Sequence, residues 1–269
     1  MSYFVCVRCG VQYAESERPP ARCAVCEDER QYLGPEGQQW TTLEAMRRDH
    51  HNLFRIVEPG ITGIGTEPRF AIGQRAMLIQ TPDGNLLWDC ITLVDDETVA
   101  TIERMGGIAA IAISHPHYYS TMVEWSRRFG GVPIYLHEDD REWVMRSDPA
   151  IVFWKGEEHS LMEGATLIRC GGHFPGATVL HWALGADGRG SLHSGDTVSV
   201  VADRRWVSFM YSYPNLIPLP PYAVRRIVNA VRPYAFDRLY GAFWEQVLEN
   251  GAKLALSQSA RRYVDKVEG

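Results

Sequence analysis

The sequence predicts an α/β fold, because helical and extended patterns alternate through its middle part. The uncharged apolar run at residues 108–114 is typical of a buried parallel strand. Helical patterns at residues 96–105 and 121–129 flank this run, and each is stopped by a pair of glycines. With 269 residues, the chain has room for one such domain and a small appendage.

Capping and turn residues define most of the other predicted elements. Thr41 and Glu44 form a capping-box pattern that predicts a helix through residue 49, with His50 and His51 at its end. Two strand patterns within residues 76–90, joined by a Pro-Asp-Gly-Asn turn, predict a β-hairpin. Strands are also predicted at 132–136 and 166–170, and helices at 139–146, 221–231 and 245–267.

Three predicted strand ends carry residues that bind metals. His115 and His117 follow the apolar strand, where alternate residues of an extended segment can reach one ion. His173 lies in a glycine-rich turn after a later strand, and Asp196 ends a short strand as part of a Gly-Asp pair. These four residues are the candidate ligands of one metal site.

The order of these motifs resembles the metallo-β-lactamase superfamily, over residues 70 to the end. Its signature is His-x-His-x-Asp-His after a strand, then a glycine-flanked histidine, then Gly-Asp, then a last histidine. The resemblance implies a four-layered αββα sandwich in which His115, His117, His173 and Asp196 bind metal. It also implies that Asp89, after the hairpin, supports the loop that carries the first two ligands.

This chain departs from the signature at the residues that hold the second metal in that superfamily. Tyr119 and Ser120 stand where the first motif has Asp and His, and residues 240–244 contain no histidine. A tyrosine would have to bind as phenolate, although its reference pKa is near 10. We therefore predict a single metal ion in this site.

Four cysteines near the start predict a second, separate metal site. Cys6, Cys9, Cys23 and Cys26 form two Cys-x-x-Cys pairs, a spacing typical of a tetrahedral thiolate site. The segment resembles a rubredoxin-like or short zinc-ribbon module. We place this module at residues 1–38 and the metallo-β-lactamase-like domain at residues 39–269.

The metal is expected to be zinc at both sites, with iron possible at either. Rubredoxins usually have proline after the first cysteine of each pair and glycine after the second. Here Val7 and Ala24 replace the prolines and Glu27 replaces the second glycine, which favours structural zinc.

Composition limits the possible partners. The net charge of −6, with both signs interspersed, argues against nucleic acid and anionic membrane surfaces as partners. The chain has no long apolar run and no signal-peptide pattern, so a cytoplasmic location is expected and the cysteines are expected to be thiols or metal ligands. The aromatic and proline-rich segment at 206–221 fits a small-molecule cleft. In related enzymes this region forms the substrate pocket or a subunit contact, so a homo-oligomer is possible.

Three functions are compatible with these motifs. The first is hydrolysis of a thioester, lactone or activated ester by a metal-bound hydroxide, with Asp196 at the centre and Tyr118 or Tyr119 stabilising the oxyanion. The second is a mononuclear non-haem iron oxidoreductase, similar to the persulfide dioxygenases of the superfamily. The third is a zinc-stabilised binding protein without catalytic activity.

Overall fold

The computed structural model describes all residues, Met1–Gly269, and contains two compact units. The first comprises Met1–Leu136 and Arg141–Phe153, and the second comprises His137–Asp140 and Trp154–Gly269. No helix is long and apolar enough to cross a membrane.

The N-terminal part of the first unit contains only short elements, none longer than four residues. Its two strands pair antiparallel, with Cys6 opposite Trp40. The elements are β1 (Val5–Cys6), α1 (Ala24–Glu27), β2 (Trp40–Thr41) and α2 (Leu43–Met46).

A seven-stranded sheet forms the body of the first unit, and its strands are adjacent in the order of the sequence. They are β3 (His51–Glu58), β4 (Ile61–Glu67), β5 (Ala76–Thr81), β6 (Gly84–Trp88), β7 (Ala110–Ala112), β8 (Ile134–His137) and β9 (Ile151–Trp154). The tightly connected strands β3 to β6 pair antiparallel. Strands β6, β7 and β8 pair parallel, because α3 (Asp96–Arg104) and α4 (Met122–Arg128) provide the crossovers. Both the predicted hairpin and the predicted parallel pairing are confirmed.

The second unit is built on a six-stranded sheet with the order β10-β11-β12-β13-β18-β19. Its strands are β10 (Glu158–Met162), β11 (Ala165–Arg169), β12 (Thr178–Trp182), β13 (Ser191–Gly195), β18 (Arg238–Gly241) and β19 (Val247–Leu248). Two small antiparallel pairs lie between β13 and β18 in the chain: β14 (Ser199–Val200) with β15 (Val207–Ser208), and β16 (Met210–Ser212) with β17 (Ile217–Pro218). The helices are α5 (Gly185–Gly188), α6 (Pro221–Val231) and α7 (Ala252–Glu268).

The core of the second unit lies between one face of its sheet and the two long helices. Leu192 and Leu239 of the sheet pack in one cluster with Val224 and Ile227 of α6 and Leu256 of α7. Because side chains alternate along a strand, the residues that follow these leucines in β13 and β18 point to the opposite face. The apolar face of the sheet therefore holds α6 and α7 in place, and the carboxyl end of β13 presents the Gly-Asp pair.

Three predicted helices were wrong in extent or type. The helix predicted through residue 49 is a single turn, with Thr42 as its N-cap, and His51 instead begins β3. The helix predicted at residues 139–146 is instead a 3₁₀ segment, Glu138–Trp143, with a kink at Asp140. The last helix starts at Ala252, because residues 247–248 pair with β18 as a strand.

Residues 1–38 pack against the rest of the first unit through main-chain and side-chain contacts. The Gln12 N–H donates to the Ser120 carbonyl at 3.0 Å, and the Ala14 N–H donates to the Met145 carbonyl at 3.2 Å. The Arg146 guanidinium lies 3.7 Å from the centre of the Tyr3 ring. The domain boundary at residue 38 stays a prediction.

Candidate metal centre

The first two candidate ligands lie in the short loop that follows β7. His115 and His117 are buried, with 1% and 2% of their surfaces exposed, and their ring centres are 5.1 Å apart. The Ser114 hydroxyl is 2.8 Å from Nδ1 of His115. This contact occupies Nδ1 and leaves Nε2 as the atom that can bind a metal, since a hydrogen bond to one ring nitrogen fixes the orientation of an imidazole.

Asp89 supports this loop from the end of β6, as the resemblance implies. Its carboxylate accepts a hydrogen bond from the Ser114 N–H at 2.8 Å, and its own N–H donates to the Ala112 carbonyl at 2.9 Å. The side chain is buried, and the backbone adopts φ +59°, a left-handed conformation that aspartate tolerates better than most residues. The carboxylate thus fixes the backbone next to His115.

His173 is buried in the turn between β11 and β12. Its Nδ1 is 3.2 Å from the Met210 carbonyl, so Nδ1 carries the proton and Nε2 is the atom that can bind a metal. Gly172 has φ +84°, and a Cβ there would lie 2.9 Å from Leu219. Glycine is favoured at this position because other residues rarely adopt this φ.

Asp196 follows β13, at the end of the Gly-Asp pair. It is 7% exposed, and its main-chain carbonyl accepts a hydrogen bond from the Tyr213 hydroxyl at 2.8 Å. Burial and the nearby Asp196 carboxylate raise the pKa of Tyr213 well above its usual range. Tyr213 is therefore a neutral donor that holds the Asp196 backbone.

The four candidate ligands form one cluster. Each of His115, His117, His173 and Asp196 offers one ligand atom, and these atoms all lie within 4.8 Å of one another. A tetrahedral zinc ion with bonds of about 2.0–2.2 Å needs its ligand atoms about 3.3–3.6 Å apart. Three imidazoles and a carboxylate at this spacing fit a divalent metal ion.

The four N-terminal cysteines form a second cluster, which we call the four-cysteine cluster. Their Sγ atoms lie within 4.8 Å of one another, and the Cys6–Cys26 and Cys9–Cys23 pairs are each 3.6 Å apart. These distances are far longer than a disulfide bond and close to the ~3.8 Å edge of a tetrahedron with metal–sulfur bonds of about 2.3 Å. All four side chains are buried, and none of the six cysteines forms a disulfide.

The protonation of this cluster indicates why it needs a cation. Hydrogen bonds from neighbouring thiols, that from Cys23 first, lower the pKa of Cys6, whereas burial raises the pKa of Cys9. Without a metal, the surrounding groups therefore favour the ionised form of Cys6 and the protonated form of Cys9. A divalent metal allows all four cysteines to be ionised together, so this donor set fits a tetrathiolate ion.

Comparison with known proteins identifies the family. No family model matches the sequence. The chain is 53% identical to the protein YmaE of Bacillus subtilis (strain 168), which is described as uncharacterised, over 266 residues that cover 98% of this chain and 96% of YmaE. The chain belongs to the YmaE family.

Solved structures identify the fold of this YmaE family member. TMB-1 matches with a TM-score of 0.60 and 14% identity, covering 81% of this chain and 99% of TMB-1. The DIM-1 metallo-β-lactamase matches with a TM-score of 0.59 and 15% identity, covering 79% and 98% of the two chains. The metallo-β-lactamase FIM-1 from Pseudomonas aeruginosa, solved in a mono-zinc form, matches with a TM-score of 0.58 and 12% identity, covering 79% and 96%. The chain therefore has the metallo-β-lactamase α/β sandwich fold, as the sequence motifs predicted, together with the four-cysteine cluster near its N-terminus.

Tyr118, Tyr119 and Ser120, which follow the two histidines in the loop, are buried. Tyr118 lies with its ring centre 4.4 Å from that of His115. Tyr119 lines a small cavity together with Val11 and Met122. The Ser120 hydroxyl donates to the Cys90 carbonyl at 3.3 Å. The catalytic roles assigned to Tyr118, Tyr119 and Asp196 stay predictions.

Three histidines that were not predicted as ligands have other partners. His137 lies 3.0 Å from the Gly156 carbonyl, and burial lowers its pKa. His181 lies within β12 and bonds the Ala235 carbonyl at 2.7 Å. His159 stacks on Trp154. None of these three belongs to either metal cluster.

Sequence reasoning missed Asp140, which stabilises the loop that carries His173. This carboxylate is 1% exposed and accepts a hydrogen bond from the Gly176 N–H at 2.7 Å. A Cβ on Gly176 would lie 2.8 Å from the carboxylate, so the close approach requires glycine. Nothing local in the sequence signals this contact, because the partners are 36 residues apart.

We predict that His115→Ala removes the metal of the His/Asp cluster and leaves that of the four-cysteine cluster, because it deletes one ligand of a four-residue set. Metal analysis by inductively coupled plasma mass spectrometry should show a loss of one equivalent. His159→Ala is the matched control and should retain the full metal content. Equal loss of metal from both variants would contradict the ligand assignment.

We also predict that Asp140→Ala weakens metal binding at His173, whereas Asp140→Asn largely preserves it. Alanine leaves the buried Gly176 N–H without its acceptor, which costs about 1–3 kcal/mol, while asparagine keeps a side-chain oxygen at that position. Thermal unfolding and competitive metal titration would measure both effects. Equal losses of metal affinity and thermal stability in the two variants would show that Asp140 acts through its charge and not by accepting this hydrogen bond.

Proposed function

We propose that the protein is a metal-dependent hydrolase that acts on a small molecule through one metal ion in the His/Asp cluster. The observation that supports this most directly is the buried set of three imidazoles and one carboxylate whose ligand atoms lie within 4.8 Å of one another. Burial in a structured loop and turn is what a catalytic metal needs to keep its geometry while one position stays open to substrate.

The chain supplies the orientation of the ligands. Ser114 fixes the ring of His115, and the Met210 carbonyl fixes the ring of His173, each through Nδ1. Asp89 holds the loop backbone at Ser114. Because hydrogen bonds of this kind set both the tautomer and the direction of the ligand atom, they raise the affinity and the rigidity of the site.

When bound, a divalent metal supplies Lewis-acid chemistry, lowering the pKa of water to about 7 and polarising a carbonyl oxygen. We assign Asp196 as the fourth protein ligand, beside the three histidines. Tyr118, next to His115, is assigned to donate a hydrogen bond to the oxygen that becomes negative as the carbonyl is attacked.

The absence of an Asp-His pair at residues 119 and 120 favours substrates with good leaving groups. Two metal ions stabilise both the attacking and the leaving oxygen in phosphodiester hydrolysis, and a single ion cannot do both. Thioesters, lactones and activated esters need less stabilisation of the leaving group. FIM-1, solved in a mono-zinc form, provides a precedent within the fold for a single zinc.

We predict that protein purified without added metal contains two metal equivalents per chain, one for each cluster, and hydrolyses a thioester or lactone. Metal analysis and a substrate panel that includes a bis-aryl phosphodiester would test this. His173→Ala should lose one equivalent and the hydrolytic activity, whereas His50→Ala should lose neither. A third equivalent in the wild-type protein would contradict the single-ion site.

The same measurements separate hydrolysis from the other two functions. Iron in the His/Asp cluster with oxygen consumption in the presence of a persulfide would favour an oxidoreductase over a hydrolase. A full complement of zinc with no turnover of any ester in the panel would favour a binding protein.

We predict that Tyr118→Phe lowers kcat by about 10²-fold, the order of magnitude for loss of one oxyanion donor, with little change in KM. The substitution keeps the buried ring and removes only the hydroxyl. Steady-state kinetics on the best substrate would measure this. An unchanged kcat would remove Tyr118 from the proposed catalytic residues.

A further inference from the structure

The N-terminal module contacts the same loop that carries two of the metal ligands. We define the strap as residues 10–12, which directly follow Cys9, and the ligand loop as residues 115–121. The Gln12 N–H of the strap donates to the Ser120 carbonyl of the ligand loop at 3.0 Å. Ser120 is three residues from His117, so this contact acts close to a ligand.

Thr92 links the strap and the ligand loop a second time. Its hydroxyl is 3.3 Å from the Gly10 carbonyl, and its own carbonyl accepts a hydrogen bond from the Thr121 hydroxyl at 2.6 Å. All of these groups belong to buried residues. A hydrogen bond between buried groups is costly to break, because neither partner can turn to water instead.

Ser120 adopts a backbone conformation that depends on its surroundings. Its φ of +43° is rare for a residue other than glycine, and such a conformation persists only where neighbouring groups stabilise it. The Gln74 amide donates to its hydroxyl at 3.2 Å, and that hydroxyl donates to the Cys90 carbonyl at 3.3 Å. Together with the bond from Gln12, these contacts hold the end of the ligand loop in a conformation it would not adopt alone.

The position of the strap depends in turn on the four-cysteine cluster. The Gly10 N–H donates to the Cys6 carbonyl at 2.8 Å, and the Cys6 N–H donates to the Val11 carbonyl at 3.0 Å. These bonds form the first Cys-x-x-Cys turn, and four thiolates around one ion would hold the two turns together. A segment below about 40 residues rarely keeps such a structure without its metal.

Gly10 is the point of closest approach between the two parts. It has φ +80°, and a Cβ there would collide with Oγ1 of Thr92 and lie 3.7 Å from Oγ of Ser120. Thr92 is hydrogen-bonded to both the strap and the ligand loop. Relieving the collision would therefore move either the strap or the ligand loop.

We propose that the N-terminal module is a positioning element for the His/Asp metal site: the ion bound by the four cysteines fixes the strap, and the strap fixes the ligand loop in the conformation that binds metal. Metal occupancy of the His/Asp cluster therefore depends on occupancy of the four-cysteine cluster. The proposal concerns metal binding and does not require that the bound metal hydrolyses an ester.

Cys26→Ser provides the first test, because Cys26 belongs to the second Cys-x-x-Cys pair, whereas the strap follows the first. In cobalt titrations of the full chain, the variant should lose the thiolate-to-cobalt absorption. It should also bind cobalt in the His/Asp cluster about 10-fold more weakly or worse, the effect expected when a ligand loses its support. Loss of the thiolate ion with unchanged affinity of the His/Asp cluster would overturn the proposal.

Gly10→Ala tests the strap with all four cysteines present, in case Cys26→Ser does not fold. It should keep the thiolate absorption and lose affinity at the His/Asp cluster. Gly37→Ala is the matched control: Gly37 lies in the same N-terminal region, also has a positive φ of +72°, and has no atom within 4 Å of its Cβ position. This control should show wild-type affinity at both clusters.

Equal affinities for Gly10→Ala and Gly37→Ala would overturn the proposal, since both carry the same backbone strain. A wild-type chain that binds cobalt only through its cysteines would also overturn it. Ester hydrolysis, measured separately, tests the proposed function alone.

Discussion

Four buried cysteine side chains cannot all ionise together unless a cation neutralises them, and the structure of the N-terminal module depends on this constraint. The elements within residues 1–38 are only two and four residues long, so thiolates bound to a common ion would supply cohesion that longer helices and strands provide elsewhere. The module then contacts the ligand loop through the backbone of residues 10–12. The cysteines that require a cation thus lie next to the segment that contacts the ligand loop.

The ligand loop is held from two sides by groups that are not themselves metal ligands. Asp89 bonds the backbone at Ser114, before the first histidine, and Gln12 bonds the backbone at Ser120, after the second. Each contact is buried and directed at the main chain, so neither uses a histidine ring. Asp89 and Ser120 both have a positive φ, and both take part in these contacts. Backbone strain is therefore located where the surroundings compensate for it.

Elements with local signals were predictable from the sequence. The hairpin of β5 and β6 has a Pro-Asp-Gly turn, and α3 ends at a glycine pair, so their positions follow from the adjacent residues. Strand β3 was missed because most of its residues are exposed or half-buried and do not alternate clearly. Residues 139–146 have a helical composition, but Asp140 turns inward to accept the Gly176 N–H, a contact that no local pattern contains. In the candidate site, the four candidate ligands were predictable, because each belongs to a motif that follows a strand. The partner that orients His173 was not predictable, because it is the main-chain carbonyl of Met210, an atom that any residue would provide.

Residue 120 is one of the positions at which this chain departs from the metallo-β-lactamase signature, and it also contacts the N-terminal module. The signature has a histidine there, and this chain has a serine whose hydroxyl bonds Cys90 and Gln74 and whose carbonyl bonds the N-terminal module. Gly10 lies next to this serine: a Cβ added to Gly10 would be 3.7 Å from the serine Oγ, an ordinary van der Waals distance. The residue that stands at the histidine position of the signature is therefore also the residue that bonds the N-terminal module.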